Sequence, residues 1–154
     1  MKEVKVYLHS RCNSETGKGG YGYVIVSEET ESNLKASYIQ TTAPRMIMRA
    51  AIHAMKEVYE TFGKCKIIFY SNQAELINTM HFGHCKKFAK RPNKDLVYES
   101  RLASEFLLVY VRSIKNYANR EITTAQDLSF LALNEYTEKI DTRNADGPRP
   151  TPLF

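Results

Sequence analysis

The apolar residues of this chain first change their spacing close to residue 43, and that change limits what the chain can fold into. Before it they recur at every second position, with Val4, Val6 and Leu8 on one face of residues 2–10, the period of a half-buried strand. After it, Met48, Ala51, Ile52, Met55, Tyr59 and Phe62 share one face at helical spacing. Between the two patterns, Gly17-Lys18-Gly19-Gly20 signals a turn, residues 21–27 read as a second strand, residues 28–32 as a charged hairpin and residues 34–42 as a third strand. Three strands with short links predict an antiparallel meander. Pro44 suits the first turn of the helix and Gly63 its end.

Beyond Gly63, residues 65–71 predict a short buried strand and residues 72–80 a helical stretch. A strand, helix, strand order implies parallel pairing through a right-handed crossover. Leu96, Ala103, Phe106, Leu107, Tyr110, Val111 and Ile114 then keep helical spacing. Residues 106–111 alone also read as a strand, but the sustained period favours a helix. Residues 121–126 are expected to form the fifth strand and residues 134–140 the last helix. The order is βββαβα, a basic loop, then α, β, α, without an internal repeat. It predicts an α/β domain over residues 1–141 and a proline-containing arm over 142–154, with Pro148, Pro150 and Pro152.

With 154 residues, 43% apolar and 25% charged, the chain can bury one core without disulfides or metal. Cys12, Cys65 and Cys85 have no paired short spacing, which points to reduced thiols and a cytoplasmic setting. Residues 106–111 form the longest apolar run, far too short to span a bilayer. Residues 1–6 show no signal-peptide pattern. The expectation is a protein with no membrane association.

The net charge of +5 is unevenly placed: residues 84–101 carry +4 of it, through Lys86, Lys87, Lys90, Arg91, Lys94 and Arg101 against Asp95 and Glu99. Concentrated charge of this kind attracts polyanions, although the same run also serves as a solvated loop. His81, His84 and Cys85 hint at zinc but lack a fourth ligand at recognisable spacing. No metal site and no cofactor are expected.

Several short motifs occur in an order that resembles the ribonuclease H family. Gly19-Gly20-Tyr21-Gly22 is similar to that family's turn into strand two. Thr41-Thr42-Ala43-Pro44-Arg45-Met46, followed by Ala50-Ala51, is similar to its Thr-Thr-Asn-Asn-Arg-Met-Glu helix start. Tyr70-Ser71-Asn72-Gln73 stands where the family has Thr-Asp-Ser, and residues 86–94 resemble the basic protrusion with which some members grip a duplex. Asn93-Lys94-Asp95-Leu96 resembles the helix start that follows, and residues 134–140 the closing helix. The resemblance spans residues 3–141 and implies a five-stranded mixed sheet with helices on both faces.

It also implies a chemistry, the hydrolysis of RNA in an RNA–DNA hybrid by two Mg²⁺ ions held roughly 4 Å apart among carboxylates. Here the corresponding positions fall on His9, Ile47, Asn72 and, in the closing helix, Glu138, with Asn134 the alternative register. Gln126 lies near the place of the family's mobile histidine. Ile47 offers no donor oxygen, a neutral amide is a poor Mg²⁺ ligand, and imidazole suits softer ions. The expectation is a pseudoenzyme with no catalytic residues that binds hybrid or duplex without Mg²⁺. Its phosphate contacts would be Lys86, Lys87, Lys90, Arg91 and Lys94, with Ser10, Asn13, Asn72 and Gln73 at the cleft. Cys12 lies where the family often has a cysteine, although a small turn residue accounts for it equally. Asn72 also reads as a helix cap. The alternatives are a scaffold that docks a protein partner through the arm, and an active nuclease with ligands relocated to Glu15, Glu75, Asp127 and Glu135.

Overall fold

A computed structural model describes residues 1–78, 80 and 93–141. Five strands, β1 (Glu3–Asn13), β2 (Lys18–Val26), β3 (Glu31–Tyr38), β4 (Cys65–Ser71) and β5 (Leu107–Ser113), form one sheet in the order β3-β2-β1-β4-β5. The first three are an antiparallel meander; β4 pairs with β1, and β5 with β4, in parallel. The helices are α1 (Ala43–Phe62), α2 (Ala74–Asn78), α3 (Lys94–Ala103) and α4 (Arg120–Leu133). This is the mixed sheet with helices on both faces that the motif order implied.

Local chemistry sets the ends of α1. Thr42 is its N-cap, accepting from the Arg45 N–H at 3.4 Å, and Pro44 sits in the first turn, where a missing N–H costs nothing. Gly63 closes the helix at φ 71°, donating its N–H to Tyr59 O at 2.9 Å. The buried face of α1, with Met46, Ile47, Ala50, Ala51, Ala54 and Val58, packs on one side of the sheet. On the other side α4 lies across β1, β2 and β3. Its approach depends on two glycines of β2. A Cβ on Gly20 would stand 2.7 Å from Leu133 N, and one on Gly22 would overlap Leu128 Cβ and stand 2.8 Å from Ala125 O. The Gly20-Tyr21-Gly22 segment of β2 is therefore a packing device for the last helix.

The helix and strand order is as expected, but its last three elements are displaced. Residues 107–111 belong to strand β5 and Phe106 to the turn before it, because α3 ends at Ala103 and the branched and aromatic run pairs with β4. Residues 121–126, expected as a strand, form the first turns of α4. Asn119 caps that helix, its Oδ1 accepting from Ile122 N at 2.9 Å. Ile122, Ala125, Gln126, Ser129 and Ala132 are its buried stripe. Burial thus overrode the strand propensity of Ile122-Thr123-Thr124. Residues 134–140 are not helical: Asn134 is the C-cap of α4, and the chain runs extended to a bridge between Ile39 and Ile140.

That extended end closes a charged clamp. Arg45, 1% exposed, donates from Nη1 and Nη2 to both carboxylate oxygens of Asp95 at 2.9 and 2.7 Å. Its Nε donates to Asp141 Oδ2 at 2.7 Å. Asp141 also accepts from Thr41 Oγ1 at 2.6 Å and Arg49 Nε at 2.7 Å. Burial alone would raise the pKa of Asp141, but hydrogen bonds from Arg45 and Thr41 and the charge of Arg49 together hold it below the usual carboxylate range. The clamp ties α1, the start of α3 and residue 141 together.

Candidate functional site

The parallel strands place their C-terminal ends side by side, so β1, β4 and the loop after β5 share one edge of the sheet. Ser10 of β1 is tied there to Gln73: its backbone N–H donates to Gln73 Oε1 at 2.9 Å, and its hydroxyl to the same oxygen at 3.3 Å. Gln73 in turn donates its N–H to Oγ of the buried Ser71 at 2.9 Å.

Next to this pair runs a second chain of contacts. His9 Nδ1 lies 3.0 Å from Ser129 Oγ on α4, and that hydroxyl donates to Gln126 O at 2.7 Å. With its one proton so used, Ser129 accepts from Nδ1–H, which leaves Nε2 with a lone pair. Burial first, and the neighbouring Arg11 second, push the His9 pKa down to about 4, so the ring is neutral at physiological pH. The side chain of Gln126, 2% exposed, donates from Nε2 to Asn116 Oδ1 at 2.9 Å and accepts from Tyr117 N at 3.0 Å. Asn72 donates to the same Asn116 oxygen at 2.6 Å. One imidazole, three amides and a hydroxyl thus form a network with no formal charge. Tyr117, 62% exposed and at φ 58°, stands at its rim.

The structure brings together His9, Ser10, Asn72 and Gln73 of the residues singled out in the sequence. Ile47 is fully buried in the α1 core. Glu138 lies in the exposed extended segment, where it accepts from the Tyr136 hydroxyl at 2.8 Å, so the last helix presents Gln126 to this network in place of Glu138. Asn13 ends β1, and its Oδ1 accepts from Glu15 N at 2.9 Å and Thr16 N at 3.3 Å, a turn-forming role. Lys94 is the first residue of α3. Lys86, Lys87, Lys90 and Arg91, the histidine–cysteine cluster and the 142–154 arm lie outside the described residues. Of the residues proposed as relocated ligands, Glu75 and Asp127 are exposed and Glu135 is paired with Lys35. Sequence reasoning missed Asn116 and Ser129 because it had placed the last helix too late. The stripe Ile122, Ala125, Gln126, Ser129 was the signal that finds Ser129; Asn116, in the loop before the helix, has no such signal.

A hollow of about 460 Å³ opens beside this edge, lined by Asn72, Gln73, Asn78, Val111 and Ser113 among others. A larger one of about 700 Å³ lies between α3 and β5, at Tyr98, Leu102 and Leu108, and takes in none of the network. The two Mg²⁺ ions implied by the resemblance need several anionic oxygens to offset their mutual repulsion. The donors at this edge are amides, hydroxyls and one neutral imidazole, and reading the strand-four position at Ser71 leaves the set equally neutral. Among the described residues no three His, Cys, Asp or Glu side chains are grouped to hold a metal. The residues present do not fit the ion pair.

Similarity to known proteins follows the same outline. The chain is 28% identical over 145 residues to a ribonuclease H of Chlorobaculum parvum, covering 87% of this chain and 97% of that protein. To a ribonuclease H of Moorella thermoacetica it is 34% identical over 83 residues, so the match spans about half of each, 54% of this chain and 53% of that protein. The N-terminal RNase H domain of a Mycobacterium tuberculosis protein superposes with a TM-score of 0.70 at 14% identity, over 86% of this chain and 94% of that one. LC11-RNase H1, solved in complex with an RNA/DNA hybrid, superposes with a TM-score of 0.65 at 16% identity, over 84% and 96% of the two chains. Among the described residues no helix is long and apolar enough to cross a membrane. The model of the RNase H family matches residues 1–108, and on that match the chain belongs to the RNase H family.

Proposed function

We propose that this member of the family binds RNA–DNA hybrid or duplex nucleic acid at the strand-end cleft without hydrolysing it and without needing Mg²⁺. The observation that carries the reading is the uncharged network His9–Ser129–Gln126–Asn116–Asn72. A carboxylate cluster repels phosphate unless cations neutralise it. Amides, a hydroxyl and a neutral imidazole do not; their N–H and O–H groups can donate to phosphate and their acceptors can accept a hydrogen bond from a sugar hydroxyl. The solved complex of a neighbour with a hybrid supports the choice of ligand. The basic run Lys86, Lys87, Lys90, Arg91 and Lys94 supplies the cationic side chains for salt-sensitive phosphate contacts.

The test is a salt titration of hybrid binding by the full chain and by a variant with Lys86, Lys87, Lys90 and Arg91 changed to Glu. Tight binding that weakens steeply with salt, and a variant that loses most of it with a shallower slope, is the expected result. A variant that binds like the parent removes the basic run from the reading. A parent that ignores the hybrid moves the protein to a scaffold role.

A further inference from the structure

The part of its own face of the sheet that α4 leaves uncovered carries a pattern the cleft leaves unused. α4 lies over β1, β2 and β3, so on its side of the sheet the outer half, β4 and β5, has no helix above it among the described residues. Val4 and Val6, Ile67 and Phe69, and Val109 point toward the α1 core. Strand alternation therefore turns the residues between them to the open face. The registers align these in two rows, Lys5–Ile68–Tyr110 and Tyr7–Tyr70–Arg112. Tyr70 is held flat against Tyr7, ring centroids 4.9 Å apart. Tyr110 has Lys66 Nζ 4.8 Å from its centroid and the Arg112 guanidinium carbon at 5.5 Å. Glu3, beside Lys66 in register, is spent on it in an ion pair at 3.4 Å.

Three features of this face select one kind of ligand. Its charge is cationic among the described residues, with Lys5, Lys66 and Arg112 against Glu3, paired with Lys66, and Glu121 near Tyr7, paired with Arg120, so it complements a polyanion; lysine is depleted at protein–protein interfaces. Its aromatic rings are partly exposed and fixed in orientation, which is what base stacking needs, and a duplex does not offer its base faces. Tyr70 and Tyr110 are diagonal neighbours on adjacent parallel strands, so successive unpaired bases of an extended strand reach both. The face is also continuous with the cleft, since Tyr70 leads through Ser71 to Asn72, and Arg112 through the loop to Asn116.

We propose that the open face of β4 and β5 binds single-stranded nucleic acid, with Tyr110 and Tyr70 stacking on bases and Lys5, Lys66 and Arg112 contacting phosphates. Binding exchanges the contacts of Lys66 and Arg112 with the Tyr110 ring for contacts with phosphate, and a base takes the vacated ring. The site does not depend on what the cleft binds, and it is tested with a ligand that has no duplex.

The experiment measures fluorescence anisotropy of a labelled oligothymidylate of about 16 nucleotides with the full chain, and of a blunt RNA–DNA hybrid alongside. Tyr110→Ala is expected to weaken single-strand binding roughly tenfold, as loss of one stacking platform does, while Tyr110→Phe retains it. The double variant Lys66→Glu, Arg112→Glu is expected to weaken it further and to make the salt slope shallower. The blunt hybrid is expected to respond to neither, and urea midpoints matched to the parent show that the variants fold. The proposal is overturned if the parent does not bind the oligonucleotide, or if Tyr110→Ala binds it like the parent. It is also overturned if Tyr110→Ala weakens the blunt hybrid equally. Self-association of a parent that ignores the oligonucleotide, abolished by Leu108→Lys, would assign the face to protein contact instead.

Discussion

Two polar clusters lie at opposite extremes of electrostatic design in this molecule. The clamp of Arg45, Asp95 and Asp141 is charged and sealed, with side chains 1%, 8% and 0% exposed. The strand-end network is uncharged and opens to solvent through Asn72 and Asn116. Each gathers side chains from parts of the chain far apart in sequence. The clamp keeps its charges because both signs meet with bidentate geometry, which offsets the desolvation of each ion. The strand-end network needs no counter-ion, since nothing in it is ionised. Charge is retained where it joins α1, α3 and residue 141, whereas the members of the strand-end network carry none, with Arg11 the charged neighbour of His9.

The comparison breaks first at the clamp. Asp141→Ala leaves Arg45 half-paired in the core and is expected to cost about 3–5 kcal/mol, read as a lower urea midpoint. Should the loss be under 1 kcal/mol, the clamp would be an ornament of the fold. The neutral network has its own signature, in pH. The folded His9 pKa is depressed from 6.5 to about 4, so between these values the unfolded chain takes up a proton that the folded one refuses. Stability is therefore lost as pH falls from about 6.5 toward 4, by roughly 2 kcal/mol after allowing for partial exposure. The variant His9→Asn should lack that share of the pH dependence. Asp141, held below the usual carboxylate range, contributes stability above that range and loses it only in more acidic solution.

Smaller effects sharpen the picture of how α4 carries the network. Gly22→Ala forces a Cβ against Leu128 and Ala125 and is expected to cost about 1–3 kcal/mol. It should also raise the His9 pKa, because α4 carries Ser129; NMR titration of the imidazole reads this directly, and an unchanged value would uncouple helix position from the site. Asn116→Ala leaves the buried Gln126 Nε2 without its acceptor and is expected to cost about 1–2 kcal/mol, by thermal or urea unfolding. No loss would mean that water replaces the Asn116 oxygen fully.

The first four strands and α1 were legible in the sequence because their signals are local. Val4, Val6 and Leu8 alternate, and Thr42, Pro44 and Gly63 mark the ends of one amphipathic helix. The later elements were not, for two physical reasons. Phe106, Leu107, Tyr110 and Val111 happen to extend the helical spacing of α3, and only pairing with β4 makes 107–113 a strand. Ile122-Thr123-Thr124 favours strand locally, and only contact with Gly20 and Gly22 of β2 makes it helix. Misplacing α4 carried Glu138 toward the site and hid Ser129. His9, Ser10, Asn72 and Gln73 stand at one edge of the sheet because β1 and β4 run as their local patterns predict. The clamp was hidden for another reason, since no local pattern links Arg45 with residues fifty and ninety-six positions away.

The most direct measurement incubates the protein with a labelled RNA–DNA hybrid in Mg²⁺, in Mn²⁺ and in EDTA, and follows both mobility shift and strand length. An intact, shifted hybrid in all three conditions, weakening as salt rises, is the expected result. RNA cleavage in either metal, or a shift that EDTA abolishes, would contradict a cleft that holds nucleic acid through neutral groups.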